Sequence, residues 1–154
     1  MFILPITLLA LSVAATPLSN KPYCPPQSAT PAEQTTIFNE FINTFINKGA
    51  VIKALEVHAA DTYIQHNPSA LSGKEATINF FKSMPPGAKT TREIINQGFG
   101  GNNTGFVHYK MQRGEGKWTA VVDVYRMEGT CVVEHWDVMQ EKPAGAKNPL
   151  AMWS

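Results

Sequence analysis

The sequence has little charge, and its few charges are not gathered into a block or stripe. Only 16% of its 154 residues are charged, with 13 basic and 12 acidic residues and a formal net charge of +1. Binding to nucleic acid or to an anionic membrane surface relies on clustered Lys and Arg. The composition therefore predicts neither partner, while the 44% hydrophobic content is enough for one globular domain with a core.

Several catalytic motifs are also missing. The chain has no Gly-rich phosphate loop, no Cys-x-x-Cys pair, no Gly-x-Ser-x-Gly elbow and no dinucleotide fingerprint. Each of these motifs places specific groups against a phosphate, a metal, an acyl group or a dinucleotide. Their absence argues against kinases, zinc ribbons, α/β-hydrolases and dehydrogenases.

Long apolar runs are scarce, and the clearest one opens the chain. Residues 1–15 (MFILPITLLALSVAA) are apolar and end in small residues, as secretory signals do. The run is too short to span a bilayer, and no Lys or Arg precedes it. We expect it to be a signal peptide cleaved after Ala15, so that the mature chain is secreted to the extracellular space. A buried N-terminal helix or a membrane anchor is the alternative.

Cysteine is rare, since the chain contains only Cys24 and Cys131. In an oxidising compartment such a pair is expected to form a disulfide. That bond would hold a Pro-rich arm, residues 16–31, against the C-terminal hairpin, whereas two free thiols are the alternative. Asn102 begins a glycosylation sequon in a Gly-rich segment that we expect to be exposed.

The remaining sequence, residues 32–154, contains helical patterns followed by strand patterns. Thr30, Pro31 and Glu33 predict a capping box before apolar residues at helical spacing, and two shorter helical patterns follow. Four strand-like runs come next, at 89–98, 104–113, 117–127 and 130–140, with Gly- and Asn-rich turns between them. Helices followed by a meander of long strands predict an α+β domain. The helices should cover one face of a curved sheet and leave a concave, partly apolar pocket.

The last strand carries the most informative pair of residues, His135 and Asp137. Residues i and i+2 of a strand point to the same face, so an imidazole and a carboxylate should lie side by side on one wall. A two-residue turn at Glu128-Gly129 would pair Asp137 with Ala120 and His135 with Val122. A bulged turn would shift these partners without separating His135 from Asp137.

The opposite face of this hairpin has a different character. In the same register Asp123 would face Glu134, a like-charge pair that is unfavourable unless an arginine bridges it. Tyr125 and Trp136 share this face. We therefore predict that it is an outer or interfacial surface, whose aromatic residues could form a homodimer contact.

Three motifs, taken with the order of the elements, resemble a known family. The motifs are YIQHNP at 63–68, GKE at 73–75 leading into Phe80-Phe81, and VDVYR at 122–126 with EHWDVMQ at 134–140. They resemble the SnoaL-like polyketide cyclase family of the NTF2-like (cystatin-like) superfamily, over about residues 32–153. The resemblance implies an NTF2-like cone, in which N-terminal helices pack on a curved, mostly antiparallel sheet enclosing a small-molecule pocket, often in a dimer.

The same resemblance implies a chemistry. Cyclases of this family close rings by intramolecular aldol condensation without metal or cofactor, and a carboxylate in their last strand acts as acid and base. Asp137 matches that carboxylate, and His135 matches a histidine two residues before it. A carboxyl group can serve in both directions when an apolar pocket raises its pKa.

Other residues are expected around this pair. His66 is a third catalytic candidate, because it ends a segment at the expected cavity mouth and could orient Asp137 or polarise a carbonyl. A bond to a local backbone carbonyl is the alternative for His66. The expected pocket lining is Tyr63, His108, Ala120, Val122 and Val133.

The His-x-Asp pattern has a rival meaning. With His66 or His108 it would complete a 2-His-1-carboxylate iron site, although we expect neither a metal nor a cofactor. The favoured hypothesis is a secreted, cofactor-free cyclase or lyase acting on a small carbonyl compound. The main alternative is a non-catalytic module that binds a small molecule in the same pocket, and a third is an interaction protein whose pocket is filled by its own side chains.

Overall fold

A computed structural model describes residues 22–85 and 89–153. The signal peptide predicted at residues 1–15 and the first part of the Pro-rich arm lie outside these ranges. Among the described residues, no helix is long and apolar enough to cross a membrane.

The described residues contain three α-helices, where the sequence predicts them, and the first strand lies between the second and the third. Helix α1 spans Pro31–Ile42 and continues as a π-helical turn, Asn43–Asn47; α2 spans Val51–His58 and α3 spans Lys74–Lys82. The predicted capping box is present at the start of α1, where the Thr30 hydroxyl accepts from the Glu33 amide and the Glu33 carboxylate accepts from the Thr30 amide. These contacts satisfy amide donors that a helix start leaves unpaired.

Five strands form one sheet. They are β1 (Ala59–Gln65), β2 (Thr90–Gly100), β3 (Thr104–Arg113), β4 (Thr119–Glu128) and β5 (Cys131–Glu141). The spatial order is β1-β5-β4-β3-β2; β1 runs parallel to β5, and the other neighbours are antiparallel. The α+β class and the mostly antiparallel sheet are therefore as predicted, while the parallel edge strand β1 is an addition.

The helices pack on one face of the sheet, called the inner face here. Phe38 and Phe41 of α1 are fully buried and contact the ring of Tyr125 on β4. Each buried aromatic side chain of this kind contributes about 1.5–3 kcal/mol through removal of apolar surface from water. This packing closes one end of the inner face and leaves the other end to the pocket.

The register of the β4–β5 hairpin differs from the predicted one for two reasons, the place of the turn and one extra residue. Glu128 pairs with Cys131, so the two-residue turn is Gly129-Thr130 and not Glu128-Gly129. Met127 pairs with Val132, but Arg126 pairs with Glu134, so Val133 is the additional residue of a β-bulge. The predicted partners of Asp137 and His135, Ala120 and Val122, are therefore wrong. A single-residue shift reverses the faces of all positions beyond it.

The corrected pairs are Asp123 with Asp137 and Tyr125 with His135, all on the inner face. Asp123, which we predicted on the outer face, is only 3% exposed. Glu134 instead lies opposite Arg126, whose Nε donates to the Glu134 carboxylate at 2.7 Å. The predicted clash between Asp123 and Glu134 does not arise.

The N-terminal arm is attached to the turn of this hairpin. The predicted disulfide joins Cys24 to Cys131, and the Thr130 amide donates to the Gln27 carbonyl at 3.0 Å. Gly129 has a φ of +52°, and a Cβ there would lie 1.8 Å from the Gln27 carbonyl oxygen. Only glycine satisfies both conditions, so the turn and the arm fit each other closely.

The outer face of the sheet exposes several large apolar side chains among the described residues. The exposed fraction rises from 36% for Trp136 to 73% for Val138. The set comprises Ile64, Phe106, Val122, Trp136 and Val138. A sheet face of this kind is a candidate contact surface.

We predict that reduction of the Cys24–Cys131 bond lowers the free energy of unfolding by about 2–5 kcal/mol, because the bond closes a long loop in the unfolded chain. Urea denaturation with and without a reductant measures the change. The Cys24→Ser/Cys131→Ser double variant should show the lower stability in both conditions. An unchanged midpoint after verified reduction would contradict the prediction.

Candidate active site

A cavity of about 150 Å³ lies between the inner face of the sheet and helix α3. The volume suits about five water molecules or one small organic ligand. A wider groove of about 360 Å³ shares the lining residues Met111, Arg113 and Met139, so the cavity opens onto it. The lining combines aromatic and apolar side chains with polar groups in two places. One polar wall is formed by β4, β5 and the segment after β1, and two arginines line the cavity from β2 and β3.

Two carboxylates face each other on this polar wall. Asp123 and Asp137 are directly cross-strand neighbours, and both line the cavity. Like charges in this position are destabilising, and buried carboxylates need hydrogen-bond donors. The surrounding residues supply such donors to each of them separately.

Asp123 receives its hydrogen bonds from tyrosines. The Tyr125 hydroxyl donates to Asp123 Oδ2 at 3.2 Å, and the Tyr109 hydroxyl also donates to this carboxylate. Burial raises the pKa of both phenols well above the usual value, and the nearby Asp123 charge raises it further. Both tyrosines therefore stay protonated and act as donors.

Asp137 is anchored through only one of its oxygens. The Asn67 side-chain amide donates to Asp137 Oδ2. The orientation of that amide is set by its oxygen, which accepts from the Ser69 backbone N–H at 2.8 Å. Within the described residues Asp137 Oδ1 has no hydrogen-bond partner, so a half-buried carboxylate oxygen is available to a ligand in the cavity.

His135 is held in one tautomer. Gln65 Oε1 lies 2.7 Å from His135 Nδ1 and also accepts from the Asn67 backbone N–H at 2.9 Å. Because the amide oxygen is an acceptor, Nδ1 must carry the proton. The other nitrogen, Nε2, is buried without a hydrogen-bond partner and lies 3.4 Å from Asp123 Oδ1.

This arrangement places an imidazole nitrogen of His135 beside a carboxylate oxygen of Asp123. If Nε2 were unprotonated and Asp123 ionised, two lone pairs would face each other inside the protein, at a cost that one proton removes. The imidazole is further confined by stacking, at 4.6 Å from the Tyr125 ring and 6.5 Å from the Tyr63 ring. The cavity wall thus combines an acid–base pair with a separately oriented carboxylate.

The segment after β1 is positioned by the parallel pairing with β5. Gln65 pairs with His135, and the His66 amide donates to the His135 carbonyl at 3.0 Å. Strand alternation then turns Gln65 and Asn67 inward and His66 outward. The side chains of this motif that contact His135 and Asp137 are therefore those of the two neighbours of His66.

His66 lies on the outer face and does not reach Asp137, which corrects the predicted placement. Its Nε2 is 2.9 Å from a Glu134 carboxylate oxygen, and its ring stacks on Trp136 at 5.0 Å. The hydrogen bond from His66, followed by that from Arg126, lowers the pKa of Glu134. The position of His66 is explained by these surface contacts.

The predicted lining residues divide in the same way. Tyr63 is buried on the inner side beside His135 but is not among the residues that line the cavity. His108 and Val122 pair with each other on the outer face, and Ala120 shares that face. Val133 packs beside the disulfide at Cys131. The predicted place in the cavity is therefore wrong for His108, Ala120, Val122 and Val133. The bulge is the reason for the last three, and the alternation of β3 is the reason for His108.

Gln65, Asn67, Arg92 and the inward direction of Asp123 were not predicted from the sequence. The sequence shows that Asp123 and Tyr125 share one face of β4, but which face this is depends on the bulge. Gln65 and Asn67 could have been selected as polar residues flanking an outward His66, once β1 was recognised as a strand paired with β5.

The geometry also bears on metal binding. Asp123, His135 and Asp137 each offer a ligand atom, and these atoms lie within 4.8 Å of one another. One imidazole and two carboxylates could hold a divalent cation. The iron site considered from the sequence would need His66 or His108, and the structure places both on the outer face.

Comparison with known proteins identifies the fold. No family model matches the sequence, and no curated protein matches it. Solved structures do match: an NTF2-like protein of unknown function from Burkholderia xenovorans LB400 has a TM-score of 0.61 and 14% identity, covering 80% of this chain and 94% of that one.

Two further structures carry the names of enzymes. A proposed ketosteroid isomerase from Kribbella flavida DSM 17836 has a TM-score of 0.63 and 12% identity, covering 80% of this chain and 95% of that one. An LEH-like epoxide hydrolase from M. tuberculosis has a TM-score of 0.56 and 14% identity, covering 71% and 84%. Identities this low establish the fold alone. The chain has the NTF2-like fold that its resemblance to SnoaL-like proteins implied.

Proposed function

We propose that the protein is a cofactor-independent lyase, cyclase or isomerase that moves a proton beside the carbonyl group of a small compound. The observation that carries the proposal is the free Oδ1 of Asp137 in a half-enclosed cavity, next to Asp123 and His135, whose carboxylate and imidazole lie 3.4 Å apart. Paired titratable groups in different environments are the usual arrangement for acid–base chemistry.

The residues suit an aldol-type sequence. Asp137 Oδ1 removes a proton from the carbon beside the carbonyl, and the resulting enolate carbon attacks a second carbonyl carbon. A carbon–carbon bond forms, and the new alkoxide takes the proton back from Asp137, which restores the carboxylate for the next cycle. An isomerase would return the proton to a different carbon of the same molecule.

The names of the structural neighbours support this class of reaction. One neighbour is named a proposed ketosteroid isomerase and another an LEH-like epoxide hydrolase, so names of enzymes occur among the proteins that share this fold. Fold alone does not determine function. The same cavity would also serve a protein that binds a small molecule without transforming it, and the variant described below separates the two.

We also propose that the protein is secreted. Support comes from the signal-like residues 1–15 and from the Cys24–Cys131 bond, since stable disulfides are typical of oxidising compartments. The sequon at Asn102 lies on an exposed turn between β2 and β3. This location would leave the side chain accessible for glycosylation.

The proposal for the outer face is a homodimer. Val138, Trp136 and Val122 form adjacent exposed apolar positions on β4 and β5. Burial of such a patch against a second copy would remove apolar surface from water.

Our first prediction concerns Asp137→Asn. We expect the deuterium exchange of α-protons in small ketones and keto acids, followed by NMR in D₂O, to fall about 10²- to 10⁴-fold, because the amide cannot accept the proton. Ligand affinity should persist, since the cavity keeps its shape. Addition of a chelator should leave exchange by the wild type unchanged.

Asp61→Asn is the matched control, because Asp61 is exposed and bonds only to Lys74 at 2.5 Å. It should retain full exchange activity. If neither wild type nor either variant catalyses exchange while ligands still bind, the binding-module alternative is correct.

A second prediction concerns the tautomer of His135. Wild type should show a protonated Nδ1 in long-range ¹H–¹⁵N spectra, and Gln65→Leu should shift the population toward protonated Nε2, because the acceptor for Nδ1 is removed. Gln97→Leu, which removes a bond to Asn39, should leave the His135 signals unchanged. A wild-type spectrum with protonated Nε2 alone would contradict the assignment.

A third prediction concerns assembly. Sedimentation equilibrium should give twice the chain mass for wild type and the single mass for Val138→Glu, because a buried unpaired carboxylate opposes association. Leu71→Glu alters an exposed apolar residue outside the sheet and should remain dimeric. A monomeric wild type would refute the dimer.

A further inference from the structure

Arg92 is a positively charged residue without a partner on the inner face. It lies on β2 beside Met111 and lines the cavity. Its side chain makes no hydrogen bond or ion pair with any described residue, although burial lowers its pKa. A partly desolvated guanidinium is unfavourable unless an anion compensates it.

A second guanidinium lies in the same part of the cavity. Arg113, at the end of β3, also lines the cavity, and its side chain has no ion pair within the described residues. The nearby Lys117 differs, because it pairs with Glu141 at 3.2 Å. Two arginines at this end are therefore available to bind an anion that enters from outside.

The charges of the cavity are separated along the strands. Across the sheet, Arg92 pairs with Met111, and Met111 pairs with Thr119. Asp123, which pairs with Asp137, lies four residues after Thr119 on β4. Four strand residues correspond to about 13 Å of backbone. The long side chain of Arg92 can cover part of that distance, and a ligand would cover the rest. A ligand with an anionic group at one end and a reactive carbonyl at the other would match both ends.

We infer that the ligand of this site is a small carbonyl compound bearing a carboxylate, and that Arg92 binds the carboxylate. Guanidinium and carboxylate groups form paired, charge-assisted hydrogen bonds with matching geometry. The carboxylate on Arg92 directs the carbonyl end of the molecule toward Asp137 Oδ1. The assignment of the carbonyl end rests on the proposed function, whereas the carboxylate contact can be tested independently.

A simpler role for Arg92 would be to neutralise Asp123. The two side chains influence each other electrostatically but form no ion pair, and Asp123 already accepts from Tyr109 and Tyr125. Neutralisation at a distance would not make the cavity prefer anionic ligands. Ligand preference is therefore the property that distinguishes the two roles.

The test compares 4-oxopentanoate (levulinate) with its neutral amide, 4-oxopentanamide, by isothermal titration or ligand-observed NMR. The two probes have almost the same shape and differ in charge. Wild type should bind the carboxylate at least about tenfold more tightly, as expected for one charge-assisted contact. Arg92→Gln should bind the two probes equally, within about twofold.

Arg126→Gln is the matched control, because Arg126 pairs with Glu134 and Glu128 on the outer face and the net charge changes equally. It should keep the wild-type preference. Arg92→Lys retains the charge but not the paired geometry, so it should keep a reduced preference for the carboxylate probe. This variant replaces Arg92→Gln if that protein does not fold.

The inference is overturned if wild type binds neither probe, if it binds both equally, or if Arg92→Gln keeps the preference. Asp137→Asn separates this inference from the proposed function. One outcome is that Asp137→Asn keeps the preference for the carboxylate probe while neither wild type nor variant catalyses proton exchange. Arg92 would then be the anion site of a non-catalytic binding module. Exchange without a carboxylate preference would leave an enzyme with a different substrate class.

Discussion

Burial of the Asp123 carboxylate is the constraint on which the candidate site depends. A negative charge beneath helices and aromatic rings must be met by donors, and the chain supplies two phenols and places the imidazole of His135 beside the carboxylate. The same requirement explains the confinement of His135, because its Nδ1 must be occupied for Nε2 to face Asp123. Gln65 provides that acceptor, and the backbone amide of Asn67 fixes the orientation of Gln65. One buried charge thus accounts for four neighbouring side chains.

The fold separates stabilisation from chemistry. Phe38, Phe41 and the aromatic residues around them fill one end of the inner face, where they exclude water and hold the helices on the sheet. The cavity lies at the other end, where polar residues from four strands, β2, β3, β4 and β5, meet. A like-charge pair such as Asp123 and Asp137 opposes folding. Locally destabilising arrangements of this kind occur most often where a protein binds or transforms a ligand.

Local signals made much of the fold predictable. The capping box at Thr30, the alternation in β5 and the cysteine pair each depend on short segments or on a simple count, and each gave a correct expectation. The cavity was predictable only in part, because it depends on pairings between distant segments. His135 and Asp137 were identified as neighbours from i and i+2 spacing. Their cross-strand partners were not identified, because nothing in the sequence around Val133 marks it as an additional residue. The outward direction of His66 was also missed, because it follows from a parallel pairing with a strand about 70 residues away.

The bulge at Val133 also affects how relatives of this chain can be recognised. A homologue that omits the additional residue would present the same inner wall with a strand one position shorter. An ungapped alignment through that strand would match His135 to a side chain on the opposite surface. Superposition of backbones is insensitive to such an offset, so proteins of this kind can share an architecture while their sequences show almost no detectable kinship.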